Sequence, residues 1–117
     1  MGYGRTEPRA RVGTTGVSVA KDLATGEGTW INPPDRVAAI TIAVHIPDGE
    51  TANYSIECSC SPVDEIGSDG MGGYWDTIDN GVASYTENQI KLLTNCVTGI
   101  RVLCLEASRN IRVEFVG

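Results

Sequence analysis

From Arg36 to Cys60 the side chains alternate between apolar and polar with a period of two, the spacing of an extended strand and not of a helix. Ala38, Ile40, Ile42, Val44 and Ile46 fall on one face; Val37, Ala39, Thr41, Ala43 and His45 fall on the other. Pro47-Asp48-Gly49 then supplies a fixed φ, a short side-chain acceptor and a residue that tolerates positive φ, which together turn a chain. Tyr54, Ile56, Cys58 and Cys60 resume the stripe, with Asn53, Ser55, Glu57 and Ser59 pointing away. Two alternating runs joined by so short a turn predict a β-hairpin.

The same alternation recurs, and no 3.6-residue period interrupts it. Val17 and Val19 open a strand, and Thr29-Trp30-Ile31 reads as another. Asn32-Pro33-Pro34-Asp35 interrupts the pattern, because two successive residues lack the N–H that a sheet ladder needs. Ser61 to Gly73, with four glycines and three carboxylates, reads as one long loop. A strand follows from Tyr74 to Ile78, and Asp79-Asn80-Gly81 predicts a type I′ hairpin turn. Val82–Thr86, Gln89–Leu93, Val97–Glu106 and Ile111–Val116 complete the set. In the last, Ile111, Val113 and Phe115 face one way and Arg112, Glu114 and Val116 the other. Eight or nine short strands with turn signals every 8 to 12 residues predict an all-β fold, a jelly-roll-like antiparallel sandwich. At 117 residues the chain makes one such domain, over 17–117, preceded by an extended, glycine-punctuated arm over 1–16.

Charge divides along that boundary. Arg5, Arg9 and Arg11 against Glu7 give residues 1–15 a charge of +2, so the remainder carries −8 of the net −6. An acidic body repels nucleic acid and anionic membranes, so neither is expected as a partner. No apolar run reaches the ~18–20 residues of a membrane span, and the N-terminal residues show no secretory h-region. Without an oxidising compartment, Cys58, Cys60, Cys96 and Cys104 are expected as thiols, with Cys58 and Cys60 buried on the Tyr54–Ile56 stripe. Their spacing lacks the Cys-x-x-Cys knuckle of a zinc site, so no metal is expected.

Few residues suggest chemistry. His45 is the sole histidine, and no nucleophile or carboxylate near it in sequence completes a triad. Asp64, Glu65, Asp69 and Asp76 lack the spacing of a calcium loop, and a glycine-rich loop is a poor mount for a glycosidase pair. Trp30, Tyr54, Tyr74, Trp75 and Tyr85 would serve a sugar-binding platform only if they shared an exposed face; adjacent Tyr74 and Trp75 cannot. The expectation is therefore a protein that holds or binds, with no catalytic residue and no cofactor.

Three stretches carry a resemblance: Tyr-Ser-Ile-Glu-Cys-Ser-Cys-Ser-Pro-Val-Asp (54–64), Gly-Tyr-Trp-Asp-Thr-Ile-Asp-Asn-Gly (73–81) and Val-Thr-Gly-Ile-Arg-Val (97–102), closed by Asn-Ile-Arg-Val-Glu-Phe (110–115). Their order resembles the small β-sandwich virion proteins of tailed bacteriophages over about two-thirds of the chain. The resemblance implies a non-enzymatic capsid decoration (cement) protein on the virion surface, assembled in the bacterial cytoplasm. It implies the major capsid protein as partner, and a homo-oligomer with a trimer favoured. On this reading Arg5, Arg9 and Arg11 would meet carboxylates on a neighbouring subunit or on the capsid. A tail, connector or fibre-base role in the same virion is the alternative, with a carbohydrate-binding module further off.

Overall fold

A computed structural model describes residues 17–34, 37–94 and 97–117. The arm, with Arg5, Arg9 and Arg11, lies outside the described residues, as does Cys96. The described residues form eight strands: β1 (Ser18–Leu23), β2 (Gly28–Ile31), β3 (Ile40–His45), β4 (Ala52–Ser59), β5 (Asp76–Thr77), β6 (Gln89–Leu93), β7 (Gly99–Ala107) and β8 (Ile111–Val116). A single helical turn, α1 (Val63–Ile66), sits between β4 and β5.

The strands form two antiparallel sheets, ordered β1-β8-β3-β6 and β2-β7-β4-β5. Strand β1 pairs with β8, β2 with β7, β3 with β6 and β4 with β5, and these pairs alternate between the sheets. The chain is thus one long hairpin, with its tip between β4 and β5, wrapped over itself. That is the jelly roll.

This topology corrects the hairpin expected over 36–60. Strands β3 and β4 are not partners; they are successive steps along one leg and lie in opposite sheets. The Pro47-Asp48-Gly49 turn forms as expected, with Glu50 N–H donating to the Pro47 carbonyl (3.0 Å) and Gly49 at φ 80°. It turns the chain across the sandwich and does not close a ladder. Asn80-Gly81 differs too. Gly81 has φ 85°, but Asn80 does not have positive φ, so the turn is not type I′. Its flanks also fail to pair with each other. Asp76 and Thr77 pair with Cys58 and Glu57, then Tyr85 bridges Tyr54, so 79–84 is an excursion from one edge running along β4.

The alternation fixes which side chains fill the gap between sheets. Leu23, Ile40, Ile42, Val44, Tyr54, Ile56, Ile100, Val102, Cys104, Ile111, Val113 and Phe115 are buried in one core. Cys58 packs against it half-buried. Cys60 is exposed, against expectation, because β4 ends at Ser59 and Ser61 N–H turns back onto the Ser59 hydroxyl (3.0 Å) before Pro62. No disulfide joins Cys58, Cys60 and Cys104. No described helix is long and apolar enough to cross a membrane.

Candidate functional site

The outer face of the β2-β7-β4-β5 sheet is covered by the chain itself. Trp30 points outward from β2, opposite Arg101, yet is only 4% exposed. Residues 61–75 lie over it. Ile66 of α1 is buried, Trp30 Nε1–H donates to the Ser68 carbonyl (3.2 Å), and a Cβ on Gly70 would stand 2.4 Å from the indole. Arg101 fastens this cover. Its guanidinium binds the Glu57 carboxylate at 2.7 Å, donates to the Gly70 carbonyl (2.9 Å) and lies 4.2 Å from the Trp75 ring centroid. The stretch expected as one long loop therefore builds a second, smaller core on an outer face. Asp64, Glu65 and Asp69 remain exposed on it, and among the described residues no group of three or more metal-ligating side chains gathers.

This cover also disposes of the aromatic platform. Trp30, Tyr54 and Tyr85 are buried and Trp75 is half-buried beneath Arg101; of the five aromatics, Tyr74 alone stands out, 84% exposed. His45 lies on the other sheet, opposite Arg112, with Asn88 Nδ2 3.5 Å from its Nδ1.

The outer face of the β1-β8-β3-β6 sheet has no such cover among the described residues. Its register sets three cross-strand rows of outward side chains. Ser18, Val116, Thr41 and Leu92 make the first; Ala20, Glu114, Ala43 and Ile90 the second; Asp22, Arg112 and His45 the third. Ile90 is 76% exposed, Leu92 65% and Val116 49%, around the small side chains of Thr41 and Ala43. A contiguous apolar patch of this kind marks an interaction surface more often than scattered single residues do. The third row is charged: Arg112 reaches Asp22 within it (3.7 Å) and binds Glu114 of the second row (2.9 Å), and the Glu114 hydrogen bond raises the guanidinium's pKa. Other exposed apolar side chains are dispersed: Val63, Met71 and Tyr74 on the 61–75 cover, and Leu105 where the β4–β7 register shifts.

At the end of the sandwich where β6 finishes, a cleft of about 360 Å³ is lined by Pro33, Val37, Ala39, Ile40, Leu93 and Val97 among others. The first described residue, Val17, is at this end, exchanging two 2.9 Å backbone hydrogen bonds with Gly117. Val17, the residue that follows the arm in sequence, thus sits next to Val116 and Gly117 at the end of the first row.

Along the outer edge of the patch runs β6, the last strand of its sheet. Lys91 points inward, its Nζ 2.8 Å from Asp79 and 5.3 Å from the Tyr85 centroid. Hydrogen bonds from Lys91 and from the Tyr85 hydroxyl hold Asp79 below the usual carboxylate pKa. The Tyr54 hydroxyl donates to the Glu87 carbonyl, and the Ile46 N–H donates to Asn88 Oδ1 (2.7 Å), which fix the entry to the strand. Burial and the neighbouring acidic groups push both tyrosine hydroxyls well above their usual pKa, so they act as neutral donors.

Sequence reasoning placed Thr41, Ala43 and Val116 on outward parities but assigned Ile90 and Leu92 no face, and it did not single out Ile90, Leu92 and Val116 as a surface. No protein-family model, curated protein or solved structure matches the chain.

Proposed function

We propose that this protein is a non-enzymatic structural subunit of a bacteriophage virion, a capsid decoration protein that binds the assembled shell. The observation that carries this reading is the apolar patch of Ile90, Leu92 and Val116 on a jelly roll, beside the departure point of a basic arm. A rigid sandwich with one prefinished face and one apolar face suits a part placed between neighbours. The resemblance in strand order to phage virion proteins points the same way and supplies the shell as partner.

The mechanism is thermodynamic. Packaged DNA pushes the shell outward, and a protein that bridges capsid subunits adds contacts that must break before the shell opens. Affinity for the assembled state alone stabilises that state by mass action. A homo-oligomer presenting several patches and arms would raise local concentration, so each contact can be weak singly. The acidic body, at −8 without the arm, disfavours direct contact with packaged DNA.

The test is cosedimentation with phage particles assembled without the protein. Full-length chain is expected to pellet with them to a saturable occupancy and to raise the temperature at which they release DNA. A chain that stays in the supernatant at every concentration overturns the proposal.

A further inference from the structure

We propose that the segment Arg9–Val12 of a second copy of this chain adds as a strand to the open edge of β6. This names an occupant for the apolar rows and rests on the assembly role proposed above.

The edge is a preformed acceptor. Among the described residues no strand pairs with the side of β6 that faces away from β3. Its geometry is pinned from within by the Glu87, Asn88 and Lys91 contacts. Edge strands are commonly protected by charge, and β6 does turn Lys91 inward. That charge is neutralised by Asp79, however, and the outward positions are Ile90 and Leu92, so the edge stays open to a strand with a matching face.

Arg9-Ala10-Arg11-Val12 is such a strand by its alternation. With Ala10 and Val12 outward, they extend the rows of Ile90 and Leu92. Arg9 and Arg11 then turn toward the side of β6 on which Lys91 pairs with Asp79, with the exposed carboxylates Asp76 and Glu87 in the adjoining segments. Asp76, Asp79 and Glu87 against Lys91 give residues 76–91 a formal charge of −2, and the two arginines bring +2. The opposite phase would set both arginines on the apolar rows. Backbone hydrogen bonds supply affinity and the alternating side chains supply register, as in other strand additions.

Reach makes the donor a second copy. Strand β1 is at the far edge of the sheet from β6, so a new strand outside β6 lies four spacings from it, about 19 Å at ~4.8 Å each. Five steps of fully extended chain from Val12 to Val17 cover at most ~18 Å, with nothing left to round the end of the sheet. The chain's own arm falls short. An arm from a neighbour meets no such limit.

The experiment measures self-association of the full-length chain by sedimentation velocity across a concentration series, with Val12→Lys and Leu92→Lys variants. Wild type is expected to associate reversibly. Each variant is expected to weaken association by about tenfold or more, from loss of one buried aliphatic contact and addition of a charge. A mixture of the two variants is expected to recover dimers, because a Leu92→Lys chain still donates an intact arm and a Val12→Lys chain still offers an intact edge. Association should also fall as salt is raised, since Arg9 and Arg11 meet carboxylates. A Val12→Lys chain that associates like wild type means the face packs on another face and overturns the arm as occupant. A wild-type chain that stays monomeric at all concentrations overturns the proposal as well. Particle binding is read separately, so a monomer that binds particles sinks this inference alone, and an oligomer that ignores them sinks the assembly role alone.

Discussion

On the outer face of the β2-β7-β4-β5 sheet the chain supplies its own cover, while on the opposite outer face the described chain supplies none. The covered face invests residues 61–75, a one-turn helix and a half-buried ion pair in enclosing Trp30. The uncovered face spends nothing on enclosing Ile90 and Leu92, which are the more exposed for it. Both sheets have the same strand count and the same alternation, so the difference is not one of fold. It separates side chains that stabilise the monomer from side chains available to a partner. Substitutions on the two faces should therefore report on different quantities.

The largest contrast is expected between Gly70→Val and Leu92→Lys. Gly70 has φ 74°, and its Cβ would overlap the buried Trp30 ring. Valine there should cost roughly 3–5 kcal/mol in denaturant unfolding, from overpacking and strained backbone together. Leu92→Lys sits on an exposed edge strand and should change unfolding by about 1 kcal/mol or less, while changing self-association. If both substitutions unfold the domain equally, the faces are not distinct in the sense argued.

Next come the two outward arginines. Arg101 and Glu57 side chains are 11% and 20% exposed, whereas Arg112 and its partner Glu114 are 52% and 43% exposed. Arg101→Ala strands a carboxylate that is mostly out of water and uncaps Trp75, and should cost about 3 kcal/mol by denaturant melts. Arg112→Ala removes a solvated pair and should leave the denaturant melt close to that of wild type. A comparable loss at both positions would show that the cover over Trp30 contributes little.

The cysteines at the end of β4 test the boundary of the covered region. Cys58 packs against the core and Cys60 is exposed beyond the strand. Cys58→Ser should cost roughly 1–2 kcal/mol through burial of a hydroxyl, and Cys60→Ser close to nothing. Burial, with the nearby Cys60 and acidic groups, also raises the Cys58 pKa. Alkylation should therefore modify Cys60 well before Cys58 at pH 8. Equal alkylation rates would place Cys58 in solvent.

Much of this was legible in the sequence, and the failures share a cause. Alternation reports which side chains face the core, and Ile40, Ile42, Val44, Ile111, Val113 and Phe115 were read correctly from it. It does not report which strand lies alongside. The turn at Pro47-Asp48-Gly49 serves a hairpin or a crossing between sheets equally well, so β3 and β4 were paired wrongly. Asn80-Gly81 misled for a related reason: a dipeptide favours a turn without dictating that its flanks become partners. The second core was hidden because Trp30 lies on the outward parity of β2, where an aromatic reads as exposed. The combination of that tryptophan, Trp75 and the glycines at 70, 72 and 73 was the available signal. Glycines there admit close approach, with a Cβ on Gly72 only 2.2 Å from the Glu65 carbonyl oxygen.

The smallest effect is expected from acid, and it tests how firmly β6 is held beside the uncovered face. Asp79 accepts hydrogen bonds from Lys91 and Tyr85, which lower its pKa in the folded chain below its unfolded value of about 3.9. A carboxylate with a depressed folded pKa adds stability that is fully present above about pH 4 and is lost as pH falls through the folded pKa. Neutral solution therefore leaves the Lys91–Asp79 contact intact, and the window of change lies below pH 4. Asp79→Asn keeps the shape and removes the charge, so the variant should lose the part of the acid response that belongs to this residue. Amide exchange at Gln89–Leu93 is the suitable readout, because the contact tethers β6 locally and the core strands β7 and β8 do not depend on it. Protection of β6 amides should fall in wild type as pH is lowered below about 4, and change less in Asp79→Asn. An identical response in both chains would mean that β6 is held by its ladder with β3 alone, and that the seam below it is not electrostatically organised.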